Sequence, residues 1–223
     1  NYLIQHPQVV PAVDKEIHYF DIHFKNGINW YIDKFPLLSE DDNNLITGES
    51  SPYYIFHPHA PKRVFQLLPR VKLIVLLRNP IDRAYSHYHH QVRLGTETLS
   101  FREAIKNEGL RLNYEKIKML EDENYHSMNY QYYSYLARGR YIEQLKTWME
   151  YFPIEQFLIL KSEDLYSNPS IIFHRVLDFL GLPRYDLKQY TKFNDGNYLK
   201  LDLKLKNELS LYFEPYIIIY INI

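Results

Sequence analysis

The apolar positions of the chain switch between two periods. Three short runs read as strands: LITGES (45–50), KLIVLL (72–77) and QFLILK (156–161). The last two are continuous rather than alternating, the pattern of strands covered on both faces in a parallel sheet. Between the runs, apolar residues recur at helical spacing. Pro80 suits a first helical position, where its missing N–H costs nothing, and Ile81, Ala84, Tyr85 and Tyr88 then share one face. Tyr141, Leu145, Trp148 and Phe152 form a second such face ahead of QFLILK. A third helix starts at Asn168-Pro169 and stops at Gly181, with Pro183 beyond it. A last amphipathic helix is predicted over 203–212. Residues 107–129 are polar and weakly periodic, which predicts a surface excursion with the character of a lid.

Alternating strands and helices predict an α/β fold, a doubly wound parallel sheet with right-handed crossovers. Ligands in such folds bind beyond the carboxyl ends of the strands, and Arg78 sits at one such end. No linker interrupts the chain, so one domain is expected over 1–223. Composition then removes several functions. The net charge of −1 lacks the basic excess of a generic nucleic-acid binder. The absence of cysteine excludes disulfides and thiolate metal sites. The tail PYIIIYINI (215–223) is too short to span a bilayer and is expected to pack on the domain. No signal peptide is visible.

Four segments carry candidate chemistry. Arg78-Asn79-Pro80 opens a helix, whose N-terminus offers N–H groups and partial positive charge to a phosphate. Arg78 adds a guanidinium fork, and Ser86 lies about two turns further on. The same pattern also describes an ordinary capped helix with Arg78 paired to Asp82. KEIHYFD (15–21) packs Lys15, Glu16, His18 and Asp21 together. If extended, it sends Glu16 and His18 to one side, where a carboxylate beside an imidazole can act as a general base. Lys15 could then stabilise charge, although a mixed-charge loop has the same composition. A metal held by His18, Asp21 and His23 fits no common ligand spacing, and His57, His59, His87, His89 and His90 have no supporting cysteine or HExxH. FNDGNY (193–198) is turn chemistry whose Gly196 would let backbone approach a ligand.

In order along the chain, HPQVVPAVDKEIHYFD, GESSPYYIFHP, LIVLLRNPIDRAYSHY and RGRYIEQLKTWMEYFPIEQFLILKSEDLYSNP with its FLGLP ending resemble the PAPS-dependent sulfotransferases. The likeness is to the heparan-sulfate-type branch and its bacterial relatives. It implies a three-layer parallel sheet of the P-loop NTPase type, flanked by helices. It implies 3′-phosphoadenosine 5′-phosphosulfate (PAPS) as donor, no metal, and a hydroxyl-bearing carbohydrate, lipid or small-molecule acceptor. By the same resemblance Arg78 and Ser86 hold the donor's 3′-phosphate and Glu16 is the catalytic base. His18 shares the catalytic work, while Lys15 and Asp21 lie in the acceptor site. Gly196 and Tyr198 belong to a loop closing over the nucleotide. Two departures stand out. The family's Lys-x-Gly-Thr-Thr/Ser loop and its preceding strand would come before Asn1, so an N-terminally truncated domain is expected. Glycan-modifying members also carry lysine where this chain has Ser50, which favours a smaller or less charged acceptor. A bacterial cytoplasmic enzyme is the expectation. A binding-only remnant for adenosine 3′,5′-bisphosphate and a kinase-like phosphotransferase are the alternatives. Arginine rather than aspartate after LIVLL counts against the kinase.

Overall fold

The computed structural model describes residues 2–37, 44–191, 199 and 201–216. Strand β1 (Val9–Pro11) is followed by helix α1 (Gly27–Ile32), β2 (Ile46–Gly48), α2 (Ala60–Leu67), β3 (Leu73–Leu77) and α3 (Pro80–Arg93). Helices α4 (Phe101–Leu112), α5 (Glu115–Glu121), α6 (Met128–Tyr132) and α7 (Tyr141–Met149) come next. The described chain ends with β4 (Phe157–Lys161), α8 (Ser162–Ser167), α9 (Pro169–Leu180) and α10 (Leu203–Phe213). Its contacts divide it into two compact units, Asn1–Leu77 with Phe152–Phe193 and Arg78–Tyr151 with Asn194–Ile223.

The first unit holds the strands. β1 runs parallel to β2 with Val9 opposite Ile46, and β3 runs parallel to β4 from Leu73–Phe157 to Leu77–Lys161. The α/β class with parallel strands is therefore the one expected, and among the described residues it is realised as two parallel pairs. β1 escaped the sequence reading because three residues ending in proline show no period. LITGES is strand only over Ile46–Gly48. KLIVLL corrects the expectation of cover on both faces: Leu77 is buried, but Ile74 and Leu76 are 37% and 48% exposed. The core lies where α9 packs Phe173 and Leu177 with Leu182 and Leu187, next to Leu160, Ile172 and Val176. α9 ends as predicted. Gly181 takes the left-handed conformation at φ 78°, and the Leu182 N–H returns to the Leu177 carbonyl at 2.9 Å.

The second unit is helical. Ile81 and Ala84 of α3 meet Phe101, Ala104, Tyr135, Leu205, Leu209 and Phe213, with Tyr85 and Tyr88 packed against them. The predicted face of α3 is thus the one that is buried. Tyr141, Leu145 and Trp148 of α7 are buried too, but Phe152 is not on that helix. α7 stops at Met149, since the residue before Pro153 is biased away from helix, and Phe152 meets the Phe65 ring edge-on at 5.4 Å in the other unit. Residues 107–129 are also more ordered than their pattern implied. They form the end of α4, all of α5 and the start of α6. The helical period was hidden because several inward positions are polar. Glu108, Glu115 and Ser127 are buried. Glu108 accepts the N–H groups of Leu136 and Ala137 at 2.7 and 2.8 Å, which satisfies its burial.

Among the described residues no helix is long and apolar enough to cross a membrane. FNDGNY, with Gly196 and Tyr198, lies outside the described residues, as does all of PYIIIYINI beyond Tyr216.

Candidate active site

In the first unit, Lys15, Glu16, His18 and Asp21 form a chain of polar contacts. Lys15 Nζ lies 3.9 Å from one Glu16 carboxylate oxygen, and His18 Nε2 lies 3.4 Å from the other. His18 Nδ1 is 2.8 Å from Asp21 Oδ2. Side-chain exposure falls along this series, from 71% at Lys15 through 40% at Glu16 and 20% at His18 to 0% at Asp21. The chain therefore has a buried anchor and a solvent-facing tip, and the tip is where a substrate can reach. Asp21 is itself oriented, since its Oδ1 accepts the Ile22 N–H at 2.7 Å. A carboxylate on Nδ1 fixes the ring and leaves Nε2 facing Glu16. The Asp21 bond, opposed by burial and helped by Glu16, keeps the His18 imidazole protonated above its ordinary range.

The convergence does not come from an extended strand, as the sequence reading supposed. His18 adopts φ 53°, the left-handed region that a side chain with Cβ enters only when its surroundings hold it there. The turn brings the ring round to both carboxylates. Its carbonyl accepts the N–H groups of Ile22 and His23 at 3.1 and 2.9 Å. Its N–H donates to Ser51 Oγ at 2.9 Å, and the next N–H, of Tyr19, donates to Tyr54 Oη at 2.7 Å. Ser51 and Tyr54, both from GESSPYY, are residues whose part in the site the sequence reading missed. Serine and tyrosine next to a weak strand carry no periodic signal, and only the fold brings them to KEIHYFD.

Arg78 and Ser86 lie in the second unit. Arg78 is exposed, and its carbonyl accepts the Tyr141 hydroxyl at 3.0 Å. Asn79 caps α3, with Oδ1 accepting from the N–H groups of Ile81 and Asp82 at 3.0 and 3.3 Å. Pro80 has no N–H, and the Arg83 N–H is taken by the Asn79 carbonyl at 2.9 Å. The first-turn donors that made this end an anion site from sequence are therefore already bonded. An anion here would be held by the side chains of Arg78 and Ser86. Ser86 is half-buried and lies about 9 Å along the helix axis from Pro80.

His57 Nδ1 accepts the His59 N–H at 3.3 Å, both residues being buried. His90 and Arg93 are 2.9 Å apart on an exposed face. Among the described residues no three His, Cys, Asp or Glu side chains are grouped to hold a metal ion.

The first unit thus carries parallel strands and, on a loop with a left-handed turn, a carboxylate–imidazole–carboxylate series. The family model of the Sulfotransferase domain matches residues 3–200, and the chain belongs to that family. It is 34% identical over 194 residues to the heparan sulfate glucosamine 3-O-sulfotransferase 3A1 of Mus musculus, covering 86% of this chain and 44% of that protein. It is 26% identical over 278 residues to the membrane-associated sulfotransferase kil1 of Dictyostelium discoideum, covering 96% of this chain and 59% of the relative. The chain thus spans roughly half the length of these relatives. The crystal structure of a sulfotransferase from Alicyclobacillus acidocaldarius superposes with a TM-score of 0.71 at 29% identity, over 97% of this chain and 85% of that one.

Proposed function

We propose that this protein transfers a sulfuryl group from PAPS to the hydroxyl of a carbohydrate or smaller acceptor. The observation that carries the reading is the part-exposed Glu16 carboxylate, set between Lys15 at the solvent tip and His18 backed by buried Asp21. In the proposed reaction the acceptor oxygen forms a bond to sulfur as the bond from sulfur to the 5′-phosphate oxygen breaks. The acceptor proton passes to Glu16, and the leaving nucleotide keeps the electron pair. His18, fixed by Asp21, orients Glu16 and the acceptor and shares the proton; Lys15 offsets negative charge building at the reacting group. Arg78 and Ser86 would hold the donor's 3′-phosphate, for which a guanidinium fork and a hydroxyl are suitable partners. Gly196 and Tyr198 are assigned to the nucleotide loop by resemblance alone. The exposed Ser50, where glycan-modifying members carry lysine, favours an acceptor of low negative charge. The family match runs through both compact units, which supports reading them as parts of one domain.

The test pairs calorimetry with adenosine 3′,5′-bisphosphate and a transfer assay from PAPS over a panel of hydroxyl acceptors. Nucleotide binding with turnover is expected. Glu16→Gln should lose about 10²–10⁴-fold in turnover with nucleotide affinity kept. Binding without transfer by any acceptor would favour a nucleotide-binding remnant. Undiminished turnover in Glu16→Gln would remove Glu16 as the base.

A further inference from the structure

We propose that Glu49 is a positioning residue for the Glu16–His18–Asp21 series, its carboxylate anchoring the backbone of residues 17–20 directly and through the hydroxyls of Ser51 and Tyr54. The geometry is a two-armed relay. One Glu49 oxygen accepts the Ser51 hydroxyl at 2.7 Å, and Ser51 Oγ accepts the His18 N–H at 2.9 Å. The other accepts the Tyr54 hydroxyl at 2.8 Å, and Tyr54 Oη accepts the N–H groups of Tyr19 and Phe20 at 2.7 and 3.3 Å. Glu49 also accepts the Ile17 N–H and the Tyr31 hydroxyl. Four successive N–H groups, from Ile17 to Phe20, are therefore tied to one half-buried carboxylate. The loop is held from its other side too, since Arg63 Nη1 donates to the Phe20 carbonyl at 3.0 Å.

The arrangement answers a need that the site creates. A left-handed backbone is strained for a residue bearing a Cβ, so His18 stays in that turn because its neighbours prescribe it. Hydrogen bonds to an ionised carboxylate are the strong kind, and chains of them polarise one another. Burial pushes the Glu49 carboxyl up, while Ser51, Tyr54, Tyr31 and the Ile17 N–H pull it back toward the ionised form that the relay requires. The two arms hold backbone rather than the reacting side chains, so Glu49 acts through the turn. The inference rests on the reading that Glu16 and His18 do the chemistry, but its first test does not.

The experiment follows the His18 ring by NMR titration in wild type, Glu49→Gln and Ser51→Ala, with circular dichroism to confirm folding. The groups facing the ring are Asp21, Glu16 and the edge-on Tyr54 ring at 6.5 Å. Wild-type His18 is expected to titrate above the ordinary imidazole range. In Glu49→Gln the titration should fall toward that range as the turn loosens and the Asp21 contact lengthens. Ser51→Ala, which cuts one arm, should move it the same way by less. A role confined to stability would lower the melting temperature and leave the His18 titration of the folded protein in place. That result in both variants overturns the proposal. Should Glu49→Gln not fold, Ser51→Ala and Tyr54→Phe decide by the same criterion. In the transfer assay a misplacement of about 1 Å predicts a kcat loss of order 10²-fold in Glu49→Gln with the donor KM unchanged. A shifted titration together with a fully active Glu16→Gln enzyme would leave the positioning role standing and sink the catalytic reading instead.

Discussion

Glu97 shows how one buried carboxylate can organise its surroundings. It is buried, and Arg111 reaches it with both terminal nitrogens, the second at 3.1 Å. Tyr135 donates to it at 2.9 Å, and the N–H groups of Thr98 and Leu99 each donate at 3.0 Å. Burial acts to raise its pKa, but Arg111, the backbone donors and Tyr135 outweigh it and hold the group at about 2. Removing the charge while leaving Arg111 partly buried is the costly direction, because the cation then lacks its partner. Glu97→Gln is expected to destabilise the protein by roughly 3 kcal/mol, measured by urea unfolding at neutral pH. A change under ~1 kcal/mol would mean that solvent already screens the pair. The Arg111 guanidinium also covers the Tyr133 ring at 4.2 Å, so Arg111→Lys should recover only part of the stability, since lysine cannot make the two-pronged contact.

In the second unit α3 and α10 both close on Gly139, in the turn Ala137–Gly139. A Cβ built there would lie 2.6 Å from Phe213 Cε1 and 3.0 Å from Pro80 Cβ. Phe213 is 1% exposed and Pro80 is the first residue of α3, so neither can move aside without disturbing α10 or α3. Gly139→Ala should therefore cost about 1–3 kcal/mol by overpacking. The thermal midpoint would register this, and an unchanged midpoint would show that the Phe213 ring can tilt. The glycine is legible in RGRYIEQL, but its reason is not. Its φ is not in the left-handed region, and what requires it is the approach of an α10 side chain from more than 70 residues away along the sequence. α4 is the opposite case. Its capping box, with Ser100 Oγ accepting the Glu103 N–H at 3.4 Å and Glu103 accepting the Ser100 N–H at 3.0 Å, is local chemistry readable as Ser-x-x-Glu.

Across the whole molecule, three groups set opposing slopes of stability against pH. Burial, with Arg138, Arg83 and His90 adding to it, pushes the His87 imidazole well below its ordinary value. Unfolding therefore takes up a proton at His87, and the stability it contributes above about pH 6.5 is lost as pH falls below that value. Glu97 acts further down: its contribution is full above the ordinary carboxylate value and is lost as pH falls through about 2. His18 has the reverse sign. Its raised pKa contributes stability that is full below about pH 6.5 and is lost as pH rises through the folded value. Urea midpoints should pass through a maximum near neutrality. His87→Phe should flatten the limb just below pH 6.5, and Glu97→Gln should flatten the limb below about pH 4. A limb unchanged in either variant would assign it to other groups.

What the sequence determined by itself were the features governed by neighbours in the chain. The strands at KLIVLL and QFLILK, the α3 face from Ile81 to Tyr88, and α9 from Pro169 to the Gly181 stop all follow from local propensity and period. So does the family, because its motifs are contiguous. KEIHYFD named Lys15, Glu16, His18 and Asp21, since chemistry-bearing residues were crowded there. Only the tertiary structure decided how they meet. The left-handed turn at His18 is set by Ser51, Tyr54 and Glu49, which lie more than 30 residues away. Tertiary structure also gave residues 107–129 their helices, because Glu108 and Glu115 can face inward only where backbone N–H groups and hydroxyls wait to receive them. A one-dimensional pattern records which residues prefer to be buried, and it cannot record which distant partner makes the burial of a polar one favourable.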